Sequence, residues 1–158
     1  MSTTNYQLTR PPIAKAEMLI RKPVAEVFEA FVNPALTTRF WFTKSSGRLE
    51  PGKIIRWDWE MYNASADVSV KSVEQNKRIR IEWGSPPTTV EWIFTPRTDN
   101  TTFVSITNTG FSGNGDEIVR QAIDATEAFT LVLSGLKALL EHDLALNLVS
   151  DRFPGSLE

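Results

Sequence analysis

The 158-residue chain predicts an α+β fold in which a curved antiparallel sheet wraps around a long C-terminal helix, with two short helices after the first strand. Three observations carry that prediction. Apolar residues recur with a helical period just after Pro23, switch to strict alternation from Pro51 onward, and return to a helical period after Asn114. Each alternating run keeps one polar face, as strands covered on one side only do. The closing segment, Asp116 to Asn147, contains no proline, so one helix of roughly 40 Å, at 1.5 Å per residue, can cross the whole sheet.

Taken in order, the polar first dozen residues end in Pro11-Pro12, and residues 1–14 are expected to form a loosely held arm. Ala16 to Arg21 reads as the first strand. Pro23 suits the first turn of a helix, where its missing N–H costs nothing, and Val24, Val27, Phe28, Phe31 and Val32 make one apolar face behind it. Asn33-Pro34 ends that helix, and a second short one is expected over Ala35 to Phe40. The runs KIIRWDWEM, ADVSV, RIRIEW, TVEWIF and FVSIT then alternate, separated by turn residues at Asn63, Gln75-Asn76, Pro86-Pro87 and Asp99-Asn100. About six strands are expected after the opening one, with Trp57, Trp59 and Met61 of one polarity and Arg56, Asp58 and Glu60 of the other. Asn114 and Glu117 have the spacing of a helix cap. Behind them Ile118, Ala122, Ala125, Phe129, Val132, Leu136 and Leu140 form the inward face. Residues 15–150 are expected to be a single domain, and 151–158 a tail.

Composition narrows the function classes. Hydrophobic residues make up 41% and charged residues 23%, near the globular average. There is no cysteine, which excludes disulfides and thiolate chemistry. A net charge of −2 offers no long-range attraction to a polyanion. The densest basic run, Lys77, Arg78 and Arg80, lies on a strand that turns it outward, so nucleic acid is not an expected partner. No window suits a membrane span, and the N-terminus lacks a basic region followed by an apolar run. A cytoplasmic protein is the expectation.

The residues PVAEVFEAFVNP, the tryptophan of RFWF, the LEPGK turn before IRWDW, ADVSVKSVEQNKRIRIEW, TTVEWIFTPRTDNTTFVSITNTGF and GLKALLE occur in an order that resembles the START-like (SRPBCC) superfamily. Within it, the chain is similar to the activator of heat-shock-protein-90 ATPase homologue family, from Ala16 to about Leu146. The resemblance implies a helix-grip fold with a cavity between helix and sheet, usually for a hydrophobic molecule, and no conserved chemistry. That superfamily mixes lipid carriers, cyclases and co-chaperone domains, so fold does not give function. The chain departs from its relatives at Asn108, where many have histidine, and at Phe129, where many have tryptophan. Both changes would reshape the cavity.

The candidate site follows from parity. Trp57, Trp59, Trp83, Trp92 and Phe94 share the inward face and stand opposite Ala122, Ala125, Ala128 and Gly135 of the helix. They either fill the core, each large ring burying ~150–250 Å², or wall a pocket. The wall would comprise these five with Ile106, Phe129, Val132 and Leu136, and Asn108 would be its polar anchor. Because consecutive side chains diverge, Phe40, Trp41 and Phe42 are not expected to share one core. One or two of them are placed at a cavity entrance with Ser45 to Gly47 and the loop Phe111 to Gly113, and Trp41 is counted among the ligand-binding residues; the alternative is a hydrophobic staple that closes the short helix onto the sheet.

Three readings result: a non-enzymatic binder of a small hydrophobic or amphipathic molecule; a protein-interaction module with a chaperone or other protein as partner, using Phe40 to Lys44 and Gly110 to Gly115; and a polyketide-cyclase-like enzyme. The third needs a titratable group in the cavity, and Arg56, Asp58 and Glu91 all have outward parity. No cofactor, metal site or catalytic residue is expected. His142, the single histidine, suits the helix dipole. Asp124 and Glu127 suit a solvated face. Ser134 and Lys137 have S-x-x-K spacing without its partner motifs. The chain is expected to be a monomer or a homodimer.

Overall fold

A computed structural model describes residues 6–155; the outer parts of the expected arm and tail, residues 1–5 and 156–158, lie outside the described residues. The chain runs β1 (Ala14–Ile20), α1 (Val24–Val32), α2 (Pro34–Thr37), β2 (Lys44–Ser45), β3 (Ile54–Trp59), a 3-10 turn (Glu60–Tyr62), β4 (Ala64–Glu74), β5 (Arg78–Trp83), β6 (Thr88–Pro96), β7 (Thr102–Thr109), α3 (Gly115–His142) and α4 (Leu148–Arg152). The seven strands form one antiparallel sheet in the order β1-β7-β6-β5-β4-β3-β2. The helix-grip order read from the periodicity is the one present. No described helix is long and apolar enough to cross a membrane.

Several boundaries differ from expectation for local reasons. Pro23 has extended geometry and caps α1 from outside its first turn. The Asn33 side chain accepts a hydrogen bond from the Ala35 N–H at 3.0 Å, so α2 starts at Pro34 and is one short turn. Met61 leaves the alternation because the chain coils after Trp59, and it is exposed. The arm is shorter than expected, since β1 starts at Ala14. The expected tail begins inside α4, whose Arg152 pairs with Glu127 of α3 at 2.6 Å.

The core lies between the concave sheet face, α1 and the C-terminal half of α3. Ile20, Ile55, Val68, Val70, Ile79, Ile81, Val90, Val104 and Ile106 point inward from the strands. α3 is capped as its spacing predicts: the Glu117 N–H donates to Asn114 Oδ1 at 2.9 Å, and Asn114 Nδ2 donates back to the Glu117 carboxylate. Its buried face is wider than the expected stripe, taking in Leu133, Gly135 and Leu139. A Cβ on Gly135 would lie 3.4 Å from the Phe40 carbonyl oxygen. That glycine lets the chain after α2 lie directly on the helix.

The far end of α3 is tied to β1. Lys137 Nζ donates to the Leu19 carbonyl at 2.8 Å and to the Glu141 carboxylate at 2.7 Å, and that carboxylate also accepts the Arg21 N–H at 2.9 Å. Lys137 is therefore structural. Ser134 is also accounted for, since its hydroxyl donates to the Thr130 carbonyl at 2.8 Å. Burial works to raise the Glu141 carboxyl, but the Arg21 N–H, the Lys137 ammonium and His142 outweigh it and hold the pKa below its ordinary 4.5.

Two outcomes are expected. Gly135→Ala leaves stability within about 1 kcal/mol, since helix propensity gained offsets a tight contact, whereas Gly135→Leu costs ~2 kcal/mol or more by overpacking; urea unfolding of both variants checks this. Glu141→Gln loses roughly 1–2 kcal/mol at neutral pH. Because the folded pKa is lowered, the contribution is complete above 4.5 and disappears as pH falls through the folded value, so the two unfolding curves should converge in acid.

Candidate functional site

The aromatic triplet Phe40 to Phe42 reaches the interior through a locked turn. The buried Thr37 hydroxyl donates to the Ala30 carbonyl at 2.6 Å and the Asn33 carbonyl at 3.0 Å, which fixes α2 against α1. The Trp41 N–H then donates to the Thr37 carbonyl at 3.0 Å, carrying a helical turn past the end of α2. All three aromatics are buried, at 8%, 7% and 1% exposure, which agrees with a staple closing the short helix onto the sheet and not with rings at an open entrance. Their side chains do diverge, but each direction ends in protein. Phe40 meets Phe31 edge-on, Phe42 stacks on Trp57 with centroids 4.5 Å apart, and Trp41 enters between sheet and α3. The exposed aromatic face expected for protein docking at Phe40 to Lys44 is therefore not present.

Trp41 is the hub of the cluster. Its ring centroid lies 4.9 Å from Trp57, 5.8 Å from Phe129, 6.1 Å from Trp92, 6.2 Å from Trp83 and 6.3 Å from Trp59. Trp83 also stacks on Phe129 at 6.1 Å. Along α3, Phe129, Val132, Leu133 and Leu136 fill the space above these rings. Before Phe129 the sheet-facing positions carry alanine, and Ala128 is exposed. The space therefore closes toward the C-terminal end of α3 and opens toward its N-terminal end.

A cleft of about 630 Å³ occupies that open end, walled by Trp59, Trp83, Pro86 and Phe111 on one side and by Gln121, Asp124, Ala125 and Ala128 on the other. A second cleft, about 520 Å³, lies between α3 and α4, lined by Trp41, Tyr62, Leu131, Val132, Val149 and Phe153 with the Glu127–Arg152 pair. Asp124 and Ala128 border both. α4 is held in place by the Tyr62 hydroxyl, which donates to the carbonyls of Val149 and Ser150. The Glu127 carboxylate, as hydrogen-bond partner, raises the pKa of Arg152.

The residues nominated from the sequence divide between these places. Trp59, Trp83 and Phe111 line the first cleft, and Trp41 and Val132 line the second. Trp57, Trp92, Phe94, Ile106, Phe129 and Leu136 are buried and line neither; they form the layer behind the wall. The amide nitrogen of Asn108 is engaged within the sheet. Its Nδ2 donates to Thr88 Oγ1 at 3.0 Å and to the Thr89 carbonyl at 2.9 Å, so it positions Thr88, which borders the first cleft. Ser45 to Gly47 stay at the sheet edge, where the Ser46 hydroxyl accepts the Arg56 N–H at 2.9 Å. Of the expected entrance, Phe111 and Ser112 do border the first cleft, together with Pro86.

Arg56 and Asp58 pair at 3.0 Å, and Arg78 and Glu91 approach to 3.7 Å, all on the outer sheet face and lining neither of these clefts. Among the described residues no group of three His, Asp or Glu side chains could hold a metal ion. The parity argument did not reach Tyr62, Leu131, Val149, Arg152 and Phe153. The Glu127–Arg152 spacing carries no motif, and only the aromatic character of Tyr62 and Phe153 offered a signal.

Trp41→Ala is expected to cost about 3–5 kcal/mol in denaturant unfolding, as for a large buried ring. Trp59→Ala, whose side chain already borders solvent, should cost less than half of that.

Residues 21–141 match the family model described as activator of Hsp90 ATPase homolog 1-like protein. Protein SSP2350 from Staphylococcus saprophyticus is similar at 32% identity, with 85% of this chain and 95% of that one covered and a TM-score of 0.74. The Aha1 dimer from Colwellia psychrerythraea, at 18% identity, superposes with a TM-score of 0.69 over 82% of this chain and 96% of its own. DynU16, from the dynemicin biosynthetic locus, is 20% identical with a TM-score of 0.72, over 85% of this chain and 49% of its own. The last two likenesses concern the fold alone. No curated protein matches the sequence.

Proposed function

Since the chain belongs to the activator of Hsp90 ATPase homolog 1-like family and opens an aromatic cleft beside its long helix, we propose that it is a non-enzymatic module that binds a small apolar or amphipathic molecule in that cleft. One observation carries this reading. Trp41, Trp57 and Trp92 are buried, whereas Trp59 and Trp83 are only half-buried and wall the cleft. A core needs its tryptophans covered, and these two keep ring surface for a guest. The volume falls within the ~300–1,000 Å³ usual for small-molecule sites. Covering apolar surface would supply ~25 cal/mol per Å² before the costs of ordering.

The alternatives have less support. A protein-docking face built on the aromatic triplet would require exposing rings that are packed inside. A cyclase-like reaction relying on Arg56, Asp58 or Glu91 would have its titratable groups on the far face of the sheet.

Tryptophan fluorescence during titration with uncharged lipids and aromatics, alongside native mass spectrometry, tests the proposal. A saturable shift or a co-purifying mass is expected. Ala128→Phe, which projects a ring from an exposed helical position into the cleft, should weaken binding at least tenfold while leaving the melting temperature within a few degrees. A well-folded protein with no shift and no bound mass overturns the reading.

A further inference from the structure

Resting on the cleft-binding reading above, we infer that the first cleft selects for guests with a cationic end and against anionic ones, with Asp124 as counter-charge and Trp59 and Trp83 as the apolar wall. Among the described residues the lining contains one charged side chain, Asp124, and no lysine, arginine or histidine. A binder of carboxylates, sulfates or phosphates needs a guanidinium, an ammonium or a row of aimed N–H groups, and no described basic side chain lines this cleft.

Asp124 is exposed and has a through-space attraction to Arg152. Among the described residues it takes part in no ion pair. The neighbouring cation, Arg152, is engaged by both oxygens of Glu127, at 2.6 Å and 3.3 Å, and by stacking over Phe153 at 4.2 Å. The border between the two clefts thus carries two carboxylates against one guanidinium.

The wall has matching chemistry. Trp59 and Trp83, with centroids 6.4 Å apart and planes inclined at 57°, line the cleft and are half-buried; Trp83 rests on Phe129 on one side, and an indole face that meets a guest attracts an organic cation by its quadrupole. Gln121 adds little, because its amide nitrogen already donates to the Ser112 and Glu117 carbonyls at 2.9 Å and 3.1 Å. The class of guest is therefore an apolar or aromatic body bearing a quaternary or protonated amine.

Three probes with one naphthalene body test this by calorimetry at low and moderate salt: naphthylmethyl-trimethylammonium, naphthylmethanol and naphthalenesulfonate. About tenfold tighter binding of the cation than of the anion is expected, the size of one exposed charge contact plus a cation–π contact, and the ratio should shrink as salt screens Asp124. In Asp124→Asn the cation-to-alcohol affinity ratio should fall severalfold, to the share supplied by the cation–π contact alone. Equal affinities, an anion preference, or a cation preference undiminished in Asp124→Asn overturns the inference while leaving the cleft a binding site. Failure of the uncharged alcohol along with the other two overturns the underlying binding proposal as well.

Discussion

The insertion of Trp41 between the sheet and α3 is the contact on which the rest of the arrangement depends. One ring touches tryptophans from three strands and Phe129 of the helix, so it sets the separation of the two layers. Its own position is determined upstream. Asn33-Pro34 breaks the first helix, Thr37 hydrogen-bonds the fragments together, and Gly135 admits the backbone that follows. The cluster is not free of cost. The Trp92 indole nitrogen is buried without a partner, a loss of about 1–3 kcal/mol that the packing of the surrounding rings must exceed.

The same wedge explains why the molecule has a closed half and an open half. Past Phe129 the helix carries residues large enough to complete the layer that Trp41 begins. Before it, Ala125 and Ala128, which line the cleft with Trp59 and Trp83, are too small to fill it. A change of side-chain volume along one helix face thus converts a continuous core into a core with a mouth, without any kink in the backbone.

The fold was legible because periodicity reports which face of an element is buried, and the alternation of β3 to β7 is regular enough to determine parity, though not register, which shifts between Val70 and Ser72 in the β4–β5 pair. β2 was not separately legible, since two residues carry no period. The site was legible in kind but not in place. Trp57 and Trp59 have the same parity and equal chemistry, yet one is sealed and the other half-open, because parity reports a face and not the distance from the strand's end. Asn108 was correctly placed inside, but its partners on β6 depend on cross-strand pairing that composition does not reveal. Phe40 to Phe42 went the other way. Divergence of consecutive side chains is a sound rule, and it excludes a shared core only where one of the three directions leads to water. Leu133 and Leu139 were missed because a helix enclosed on two sides buries more than a single stripe.

The tie between α3 and β1 has a consequence for colloidal behaviour. A terminal strand with unpaired carbonyl and N–H groups is a template on which further chains can polymerise. Here the Leu19 carbonyl is occupied by Lys137 and the Arg21 N–H by Glu141. At the opposite margin β2 offers only two residues, Lys44 and Ser45. An incoming strand would therefore have to displace the last turns of α3 at the Leu19–Arg21 end of β1, and at β2 it would find only two residues to pair with.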